Sequence, residues 1–446
     1  MSLIDVTRPD ARSSRPSAGD HEQVDVLGIG FGPSNMALAV ALDELPDGER
    51  PTAVFLERQP TSAWHRHMLF EDASMQVAFA KDLVTFRNPQ SRFSFLQYLV
   101  DHDRIADFFN RGSMLPLRTE FSAYLQWAAA QLDDYVRYDS TVVGIEPLED
   151  DGVVTGFRVD AEVRGVRQQY VARDVVLAAG LQPQLPAGAE PGPRVWHTAE
   201  FLARVAELPA EGVTELAVVG GGQSAAEAVL YLHAAYPGAT IHCVHSGYGY
   251  VTSDMTPYAN RIFDPSAVDD YFFAPAENRR ELFERHHTTN YSAVNPNTID
   301  RIFDADYADR CAGRQRLVWH KASRLTELRA DRDGVDLGIS SLLTGGDVSV
   351  RVDAVVCGTG YRALDPSTLV AGHERLLVRD EDGRPLANRD YSAVLAPESR
   401  ARLFLVGQTN HTHGISSTLL SNVAVRAGEL ADTIREAATV RTGGAG

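Results

Sequence analysis

The sequence predicts an α/β protein with two parallel sheets, the second inserted into the first, and a small helical lobe beside them. An apolar run, a glycine-rich turn and an alanine-rich amphipathic stretch occur at residues 24–45 and again at 215–236. Each copy is followed by another apolar run, at 53–57 and 240–245. The order strand, turn, helix, strand forms a βαβ unit, which is the building block of parallel sheets covered by helices.

The length and composition are those of an ordinary globular protein. The 446 residues suit about two to three domains, and 44% of them are hydrophobic against 23% charged. The chain has 42 Lys and Arg residues and 60 Asp and Glu residues, so the formal net charge is −18. Nucleic acids and anionic membranes require a basic surface, so we expect neither as a partner. We see no long apolar run and no signal-peptide pattern, and therefore expect a cytoplasmic protein.

The domain boundaries follow from where these patterns begin and end. Buried strands that end in glycine are also expected at 175–180 and 354–360. The segment 255–310 is rich in Asn, His, Tyr and Phe, which suits a substrate-facing helical lobe or a helical excursion packed on the sheets. The expected division is a disordered tail at 1–22, a first domain at 23–195 and 346–440, a second domain at 196–254 and 311–345, and the lobe at 255–310.

The first glycine-rich turn has the spacing of a phosphate-binding loop. Gly28, Gly30 and Gly32 follow the apolar strand, and Pro33 opens the helix. Glycine permits a sharp turn and a close backbone approach, so a pyrophosphate can bind the free N–H groups at the helix N-terminus. Glu57 ends the next strand, where an acidic residue binds a ribose hydroxyl. We therefore predict a Rossmann-like dinucleotide-binding domain.

The second glycine-rich turn predicts a second nucleotide site. Gly220 and Gly222 belong to a G-x-G-x-x-A pattern, and Gln223 and Ser224 open the helix that follows. Two dinucleotide sites in one chain predict FAD together with a nicotinamide cofactor. An NADP-specific site usually has an arginine at the end of the next strand, whereas this chain has His-Ser-Gly at 245–247. The pattern alone therefore leaves NADPH and NADH open.

The cysteine and histidine patterns predict no metal site. The cysteines lie far apart without a C-x-x-C pair, and we expect three buried thiols, at Cys243, Cys311 and Cys357. Histidine pairs lack the helical ligand spacing and nearby carboxylates of zinc motifs. These pairs are at 65/67, 286/287 and 411/413.

Several longer motifs go beyond the two turns. The most specific are the block around Lys81, at 74–99, and the ending HGISSTLLS, at 413–421. The others are GIGFGPSN at 28–35, WHRHM at 64–68, PLRTEF at 116–121, GGGQSAAE at 220–227, TPYANRIF at 256–263, TTNYSAV at 288–294 and CGTGY at 357–361. With these motifs the chain resembles the flavin-dependent N-hydroxylating monooxygenases, which hydroxylate the side-chain amine of L-ornithine or L-lysine in siderophore biosynthesis. The resemblance runs from Val24 to Ala431.

The resemblance implies a substrate site. Lys81 and Asn260 match the family residues that hold the carboxylate and α-amino end of the amino acid, and Ser421 matches a serine lining that end. Asn290 matches the residue that reaches both the terminal amine of the substrate and the nicotinamide ribose, with Thr289 beside it.

The resemblance also implies contacts to the cofactors. Met75 and Gln76 match the pair next to the flavin ring, and Arg118 matches an arginine close to the isoalloxazine. Trp64 and His65, in the WHRHM motif, are expected to contact FAD. Together with the asparagine at the substrate amine, Met75 and Arg118 are the expected catalytic residues.

Three positions depart from the family pattern. His67 replaces a glycine beside the expected FAD contact. The family's D-D-S-P-F is D-M-T-P-Y at 254–258, close to the expected substrate residue Asn260. Its A-T-G-Y-x4-H-P is C-G-T-G-Y followed by Asp365 and Pro366.

The implied reaction is N-hydroxylation of L-ornithine with FAD, NADPH and O2 through a C4a-hydroperoxyflavin, because side chains alone cannot hold activated oxygen. The attacking amine must be neutral, yet a free alkyl ammonium has a pKa of about 10.4. Asn290 can accept a hydrogen bond from the amine without adding a charge that would hold its proton. Lys81 can pair with the substrate carboxylate, and its alternative is a surface lysine beside Asp82.

Other functions stay open on the sequence. One methylene separates ornithine from lysine, so an L-lysine N6-monooxygenase is the nearest alternative, and the HGISSTLLS ending favours ornithine only by resemblance. A diamine such as putrescine would leave Lys81 without a partner. A flavin reductase would need a redox C-x-x-C or a basic docking face. A non-enzymatic flavin-binding protein would leave Lys81 and Asn290 without roles. The family also suggests a homo-tetramer.

Overall fold

A computed structural model of the chain describes residues 21–370 and 372–443, with residues 374 and 437–443 described by their backbone alone. The expected disordered tail lies outside the described residues except for its last two positions, and Glu22 already belongs to the first strand.

The described residues contain seventeen strands, numbered here in chain order. They are β1 Glu22–Ile29, β2 Ala53–Leu56, β3 Val136–Arg137, β4 Ser140–Asp150, β5 Val153–Val163, β6 Val166–Leu177, β7 Leu181–Pro183, β8 Val195–His197, β9 Glu215–Val219, β10 Thr240–Val244, β11 Leu317–His320, β12 Ser323–Ala330, β13 Val335–Ser341, β14 Asp347–Val352, β15 Ala354–Cys357, β16 Tyr361–Ala363 and β17 Arg402–Leu405.

The same residues contain eleven α-helices. They are α1 Pro33–Asp43, α2 Phe95–Asp101, α3 Ile105–Asn110, α4 Arg118–Ala130, α5 Phe201–Glu207, α6 Gln223–Ala235, α7 Ala267–Phe272, α8 Ala276–His286, α9 Pro296–Cys311, α10 Asn410–His413 and α11 Val423–Gly443. Short 3-10 turns lie at Arg66–Met68, Asp133–Tyr135, Thr198–Glu200, Ala259–Phe263, His287–Thr289, Pro366–Thr368, Glu374–Leu376, Ile415–Thr418 and Leu420–Asn422.

The first sheet has seven strands and carries the first glycine-rich turn. Strand β1 pairs in parallel with β2 on one side and with β6 on the other. The other edge of β6 pairs with the antiparallel β5 over its first half and with the parallel β17 over its last residues. Because β1, β6 and β17 are parallel, their carboxyl ends meet at one edge of the sheet, where a nucleotide binds in such folds.

The second sheet has five parallel strands in the order β11-β10-β9-β15-β8. A three-stranded antiparallel sheet, β12-β13-β14, accompanies it. The chain leaves the first domain through β7 and returns through β16, and these two strands pair with each other. The second domain is therefore inserted into the first, as the two repeated βαβ patterns predict.

The strand pairing differs from the predicted boundary between the domains. The sequence predicts that the first domain resumes at residue 346. In the structure, β15 pairs with β8 and β9 and so still belongs to the second sheet. The segments 175–180 and 354–360 are both apolar strands that end in glycine, so the sequence does not distinguish them. Only hydrogen-bond pairing decides which sheet each strand joins.

The helical segment lies within the second domain along the chain, between β10 and β11, and divides into two parts. Helices α7 and α8 pack near α10, which belongs to the carboxyl-terminal part of the first domain. Helix α9 packs instead against α6 of the second domain. The described residues contain no helix that is long and apolar enough to cross a membrane.

Candidate functional site

The first glycine-rich turn joins β1 to α1 at the carboxyl edge of the first sheet. Gly30 has φ +83°, and a Cβ there would lie 2.6 Å from the carbonyl oxygen of Ala178. A Cβ on Gly28 would lie 2.1 Å from the ring of Phe55. Gly32 has no atom within 4 Å of its Cβ position, so the space in front of the helix N-terminus is open. This geometry fits a pyrophosphate at the N–H groups that begin α1.

Glu57 faces the same turn from the end of β2. Its carboxylate accepts hydrogen bonds from the backbone N–H groups of Phe31, at 2.7 Å, and Gln59, at 2.9 Å. The acidic residue expected at a ribose therefore lies directly beside the glycine-rich turn. Pro33 occupies the first turn of α1, as its missing N–H allows.

Three buried polar side chains at this edge escaped the sequence analysis. Asn35 donates to the carbonyl oxygen of Gly30 at 2.6 Å, while its own Oδ1 has no partner. The amide of Gln408 and the hydroxyl of Thr409 are also buried without partners. A buried polar atom without a hydrogen bond costs about 1–3 kcal/mol, so these atoms fit a bound polar ligand. Together with the open turn, these atoms fit FAD at this edge.

The second glycine-rich turn joins β9 to α6. Gly220 has φ +141°, and a Cβ there would lie 2.2 Å from the carbonyl oxygen of Gly358. Nearest to the Cβ position of Gly222 is the Cα of Ser292, at 3.9 Å. The segment that carries Asn290 therefore passes close to this turn, and the open space beside Gly222 fits a second dinucleotide.

Gln223 and Ser224 begin α6, where direct cofactor contacts were expected. The Gln223 amide donates to Glu227 at 2.8 Å and accepts from the backbone N–H of Asn295 at 2.7 Å. Its side chain thus ties the loop before α9 to α6. Ser224 is half-buried in the first helical turn.

Arg118 joins the two domains. It begins α4, and its guanidinium donates to both carboxylate oxygens of Glu227 on α6, at 2.9 and 2.7 Å, and to the carbonyl oxygen of Met68 at 2.8 Å. Both charged side chains are largely buried, with exposed fractions of 12% and 10%. The resemblance predicts Arg118 near a flavin ring, but the ion pair could not be predicted, because Glu227 lies 109 residues away along the chain.

Met75 and Gln76 lie beside Arg118. The backbone N–H of Met75 donates to the carbonyl oxygen of Pro116 at 2.8 Å, and that of Arg118 donates to Ala73 at 2.7 Å. Met75 is buried, whereas Gln76 is exposed. The structure therefore brings together the three residues that the resemblance assigns to the flavin ring.

Trp64 and His65 stand next to this cluster. The Trp64 ring packs edge-on against Phe121 of α4, with centroids 5.8 Å apart, and against His65 at 4.5 Å. His65 has φ +49°, a left-handed conformation that few residues other than glycine adopt. The chain therefore turns sharply here, just before the departure at His67.

Lys81 is half-buried with its ammonium above the Phe263 ring, 5.9 Å from the centroid. Partial burial lowers the pKa of Lys81, and the nearby charge of Asp264 opposes this shift. Its neighbour Asp82 turns inward and accepts N–H bonds from Val84, Thr85 and Phe95. In the described residues, no carboxylate forms an ion pair with Lys81.

The other expected substrate residues lie on segments that meet around Phe263. Asn260 is exposed in the same 3-10 turn and donates to the carbonyl oxygen of Met255 at 3.3 Å. Ser421 is buried, and Asn422, with its amide oriented to satisfy its neighbours, donates to the carbonyl oxygen of Phe263 at 3.0 Å.

Asn290 lies next to Tyr291, and the Tyr291 side chain contacts this region. The Tyr291 hydroxyl lies 3.2 Å from the hydroxyl of Thr418 and accepts from Asn410 at 2.8 Å. Asn290 itself is half-buried and follows Thr289, which is buried and donates to the carbonyl oxygen of His286 at 2.7 Å. Within the described residues, no hydrogen bond joins Lys81, Asn260, Asn290 and Ser421 directly to one another.

The thiols differ in part from the prediction. Cys243 and Cys357 are buried, and burial raises the pKa of Cys357 to about 12. Cys311 is exposed, because it ends α9 where the helix leaves its packing surface, so the expectation of three buried thiols is wrong for this residue. Among the described residues, no group of three or more His, Cys, Asp or Glu side chains could hold a metal ion.

Comparison with known proteins identifies the family. Residues 22–363 match the family model described as L-lysine 6-monooxygenase/L-ornithine 5-monooxygenase. The chain belongs to this monooxygenase family. Membership makes it a flavin-dependent N-hydroxylating monooxygenase with two Rossmann-like domains, which confirms the predicted family and fold class.

Individual relatives of this monooxygenase agree over nearly the whole chain. The L-ornithine N(5)-oxygenase of Arthrobotrys oligospora is 36% identical over 426 residues, covering 92% of this chain and 88% of that protein. The L-ornithine N(5)-monooxygenase of Burkholderia cepacia is 36% identical over 402 residues, covering 87% and 89%. The ornithine N-hydroxylase of Kutzneria sp. 744, solved with reduced FAD, NADP+ and L-ornithine, has a TM-score of 0.89 and 40% identity, covering 93% and 99%.

Proposed function

We propose that the protein hydroxylates the side-chain nitrogen of L-ornithine, with FAD and NADPH as cofactors and O2 as oxidant, to give N5-hydroxyornithine. The relatives named above act on ornithine and support this substrate. The observation that carries the proposal is Lys81, a half-buried cation without a carboxylate partner in the described residues, beside the 3-10 turn that holds Asn260.

The two glycine-rich turns would hold the cofactors. Gly28, Gly30 and Gly32 leave room for the FAD pyrophosphate at α1, and Glu57 is placed to bind a ribose hydroxyl. Gly220 and Gly222 would hold the NADPH pyrophosphate at α6. When bound, NADPH reduces FAD, and the reduced flavin activates O2 for transfer to the amine.

The protein side chains bind and orient the amino acid. Lys81 pairs with the α-carboxylate, and Asn260 binds the same end of the substrate. Ser421 lines this end from the first domain. These contacts would direct the side-chain amine of ornithine away from Lys81 and towards the expected flavin site at Met75, Gln76 and Arg118.

Asn290 binds the reacting amine without stabilising its charged form as a carboxylate would. An ammonium has no lone pair, so the amine must lose its proton before it can accept oxygen. The amide oxygen of Asn290 accepts a hydrogen bond from the amine without supplying a negative charge that would retain the proton. Thr289, buried beside it, holds the turn through its bond to the carbonyl oxygen of His286.

The test is hydroxylamine formation by the FAD-loaded protein with L-ornithine, L-lysine and putrescine in parallel, each with NADPH and with NADH. We expect product from ornithine with NADPH. Product from lysine alone would support the proposed N-hydroxylation but would show that the substrate is L-lysine. NADPH consumption by an artificial electron acceptor, without hydroxylamine from any of the three amines, would indicate a reductase instead.

We also propose a cytoplasmic location and a homo-tetramer, of which the homo-tetramer is suggested by the family resemblance. Light scattering of the purified protein tests the second of these, since a tetramer has four times the mass of the 48.7 kDa chain.

A further inference from the structure

In a nicotinamide-binding domain, residues at the end of the strand equivalent to β10 contact the adenine ribose. An acidic residue there selects the 2′-hydroxyl of NADH, and a basic group accommodates the 2′-phosphate of NADPH. In this chain the position carries no acidic residue. His245 turns into the protein, where its ring stacks on Tyr250 with centroids 5.5 Å apart, so Ser246 and Gly247 form the exposed strand end.

The neighbouring strand supplies a cation at the same place. Strand β11 is parallel to β10, with Val244 opposite His320, so Lys321 follows β11 beside His245, next to the exposed end of β10. Two backbone bonds fix this arrangement, because the N–H of Ala322 donates to Gly247 at 2.6 Å and that of Ser323 donates to His245 at 3.0 Å.

The side chain of Lys321 is held but not neutralised. Its ammonium donates to the hydroxyl of Tyr248 at 2.6 Å and lies 4.0 Å from the centroid of that ring. Both side chains are exposed, and no carboxylate in the described part of the chain forms an ion pair with Lys321. The full sequence has only two lysines among its 42 Lys and Arg residues, Lys81 and Lys321.

We propose that Lys321, oriented by Tyr248 and assisted by the hydroxyl of Ser246, binds the 2′-phosphate of NADPH and so sets the preference for NADPH over NADH. This assignment rests on the nicotinamide site of the proposed function. It gives the chain a phosphate-binding cation just after β11 in place of an arginine at the end of β10. A charge-assisted hydrogen bond to a phosphate is stronger than one between neutral groups, so the lysine can discriminate strongly.

Binding of NADP+ and NAD+ to the FAD-loaded protein, measured by titration calorimetry, tests the assignment without turnover. We expect Lys321→Ala to weaken NADP+ binding by about 10- to 100-fold and to change NAD+ binding by less than about twofold. Lys321→Arg should keep most of the preference. Arg329→Ala is the matched control, since it removes an exposed positive charge about 20 Å further along β12 and should change neither affinity.

Protection from an amine-acetylating reagent gives a second readout at single-residue level. NADP+ and adenosine 2′,5′-bisphosphate should slow acetylation of Lys321, whereas NAD+ and 5′-AMP should not. Lys81 serves as the internal control and should keep its rate with either adenosine phosphate. Equal NADP+ affinity in the wild type and Lys321→Ala, with no protection, would overturn the assignment alone. If neither dinucleotide bound the wild type, the nicotinamide site of the proposed function would fail with it.

Discussion

Lys81 combines a positive charge, partial burial and an ammonium without an ion-pair partner in the described residues. The carboxylate of its neighbour Asp82 accepts hydrogen bonds from backbone N–H groups, so it does not neutralise the lysine. Asp82 instead fixes the loop from which Lys81 extends. The arrangement leaves the cation available for an anionic group of the substrate.

Replacement of Lys81 by alanine should raise the KM for L-ornithine by about 10- to 100-fold, because a charge-assisted contact to the carboxylate is lost. Turnover of putrescine, which has no carboxylate, should stay unchanged. Arg92→Ala, which removes an exposed charge from the same segment, is the control and should behave as wild type. An unchanged KM for ornithine in Lys81→Ala would refute the carboxylate-binding role.

The pH dependence of this contact has a definite sign. Burial lowers the pKa of Lys81 below its ordinary value. The protonated form binds the carboxylate, so affinity is present below this pKa and lost as the pH rises through it. The KM for ornithine should therefore rise at alkaline pH, and steady-state kinetics of the wild type and Lys81→Ala should show this rise only in the wild type.

Asn290 should control the protonation of the substrate amine. In Asn290→Asp, a carboxylate beside the amine would favour the ammonium by about 1–3 pKa units. The pH profile of kcat should therefore move to higher pH, with about 10- to 1000-fold less activity at neutral pH. Asn297→Asp adds the same charge at an exposed position of α9 and should not move the profile. An unshifted profile in Asn290→Asp would argue against the assignment.

The glycine-rich turn between β1 and α1 shows how an element is fixed by its neighbours. Gly30 must be glycine for the protein itself, because of its positive φ and the carbonyl oxygen of Ala178. Gly32 has no such constraint, since its Cβ position is open. A glycine at position 32 is therefore needed only for a phosphate to approach the N-terminus of α1.

Gly32→Ala should weaken FAD binding by about tenfold or more, because the Cβ would occupy the space of the pyrophosphate. The apo protein should unfold within about 3 °C of the wild type, because replacing glycine by alanine at a helix N-cap costs only about 1 kcal/mol, which shifts the melting temperature of a large domain by a few degrees. Flavin fluorescence titration and thermal unfolding measure the two quantities. Gly238→Ala, at an exposed glycine with similar free space, is the control for a general glycine effect. Wild-type FAD affinity in Gly32→Ala would contradict this model of the turn.

Local patterns and long-range pairing contribute differently to what the sequence predicts. Gly28, Gly30 and Glu57 could be predicted because their spacing lies within one βαβ unit. Gln408 and Thr409 could not, because they reach this edge of the sheet only through the pairing of β17 with β6, more than 200 residues away. For the same reason the domain boundary near β15 and the partner of Arg118 required the structure.

At the scale of the whole molecule, the two domains are joined by the β7–β16 pair, by the ion pair of Arg118 with Glu227, and by Met68 and Phe70, which pack into the core of the second domain. The ion pair links the start of α4, beside the expected flavin site, to α6, which begins at the second glycine-rich turn. The orientation of the second domain on the first is therefore coupled to the residues beside the flavin site.

Glu227→Gln should lower the free energy of unfolding by roughly 3 kcal/mol, because it leaves the largely buried Arg118 without a counter-charge. Glu200→Gln breaks the more exposed pair with Arg204 and should cost no more than about 0.5 kcal/mol. Urea unfolding of both variants measures the difference. Equal stability of the two variants would show that the buried pair does not hold the domains together.

The transfer of one oxygen atom from O2 to the side-chain nitrogen of L-ornithine can be measured directly. The FAD-loaded protein is supplied with NADPH, L-ornithine and ¹⁸O-labelled O2, and the product is analysed by mass spectrometry. We predict N5-hydroxyornithine with one labelled oxygen on the side-chain nitrogen, formed in proportion to the NADPH consumed. Consumption of NADPH with labelled hydrogen peroxide as the sole oxygen product, and unmodified ornithine, would contradict the proposed monooxygenase function on this substrate.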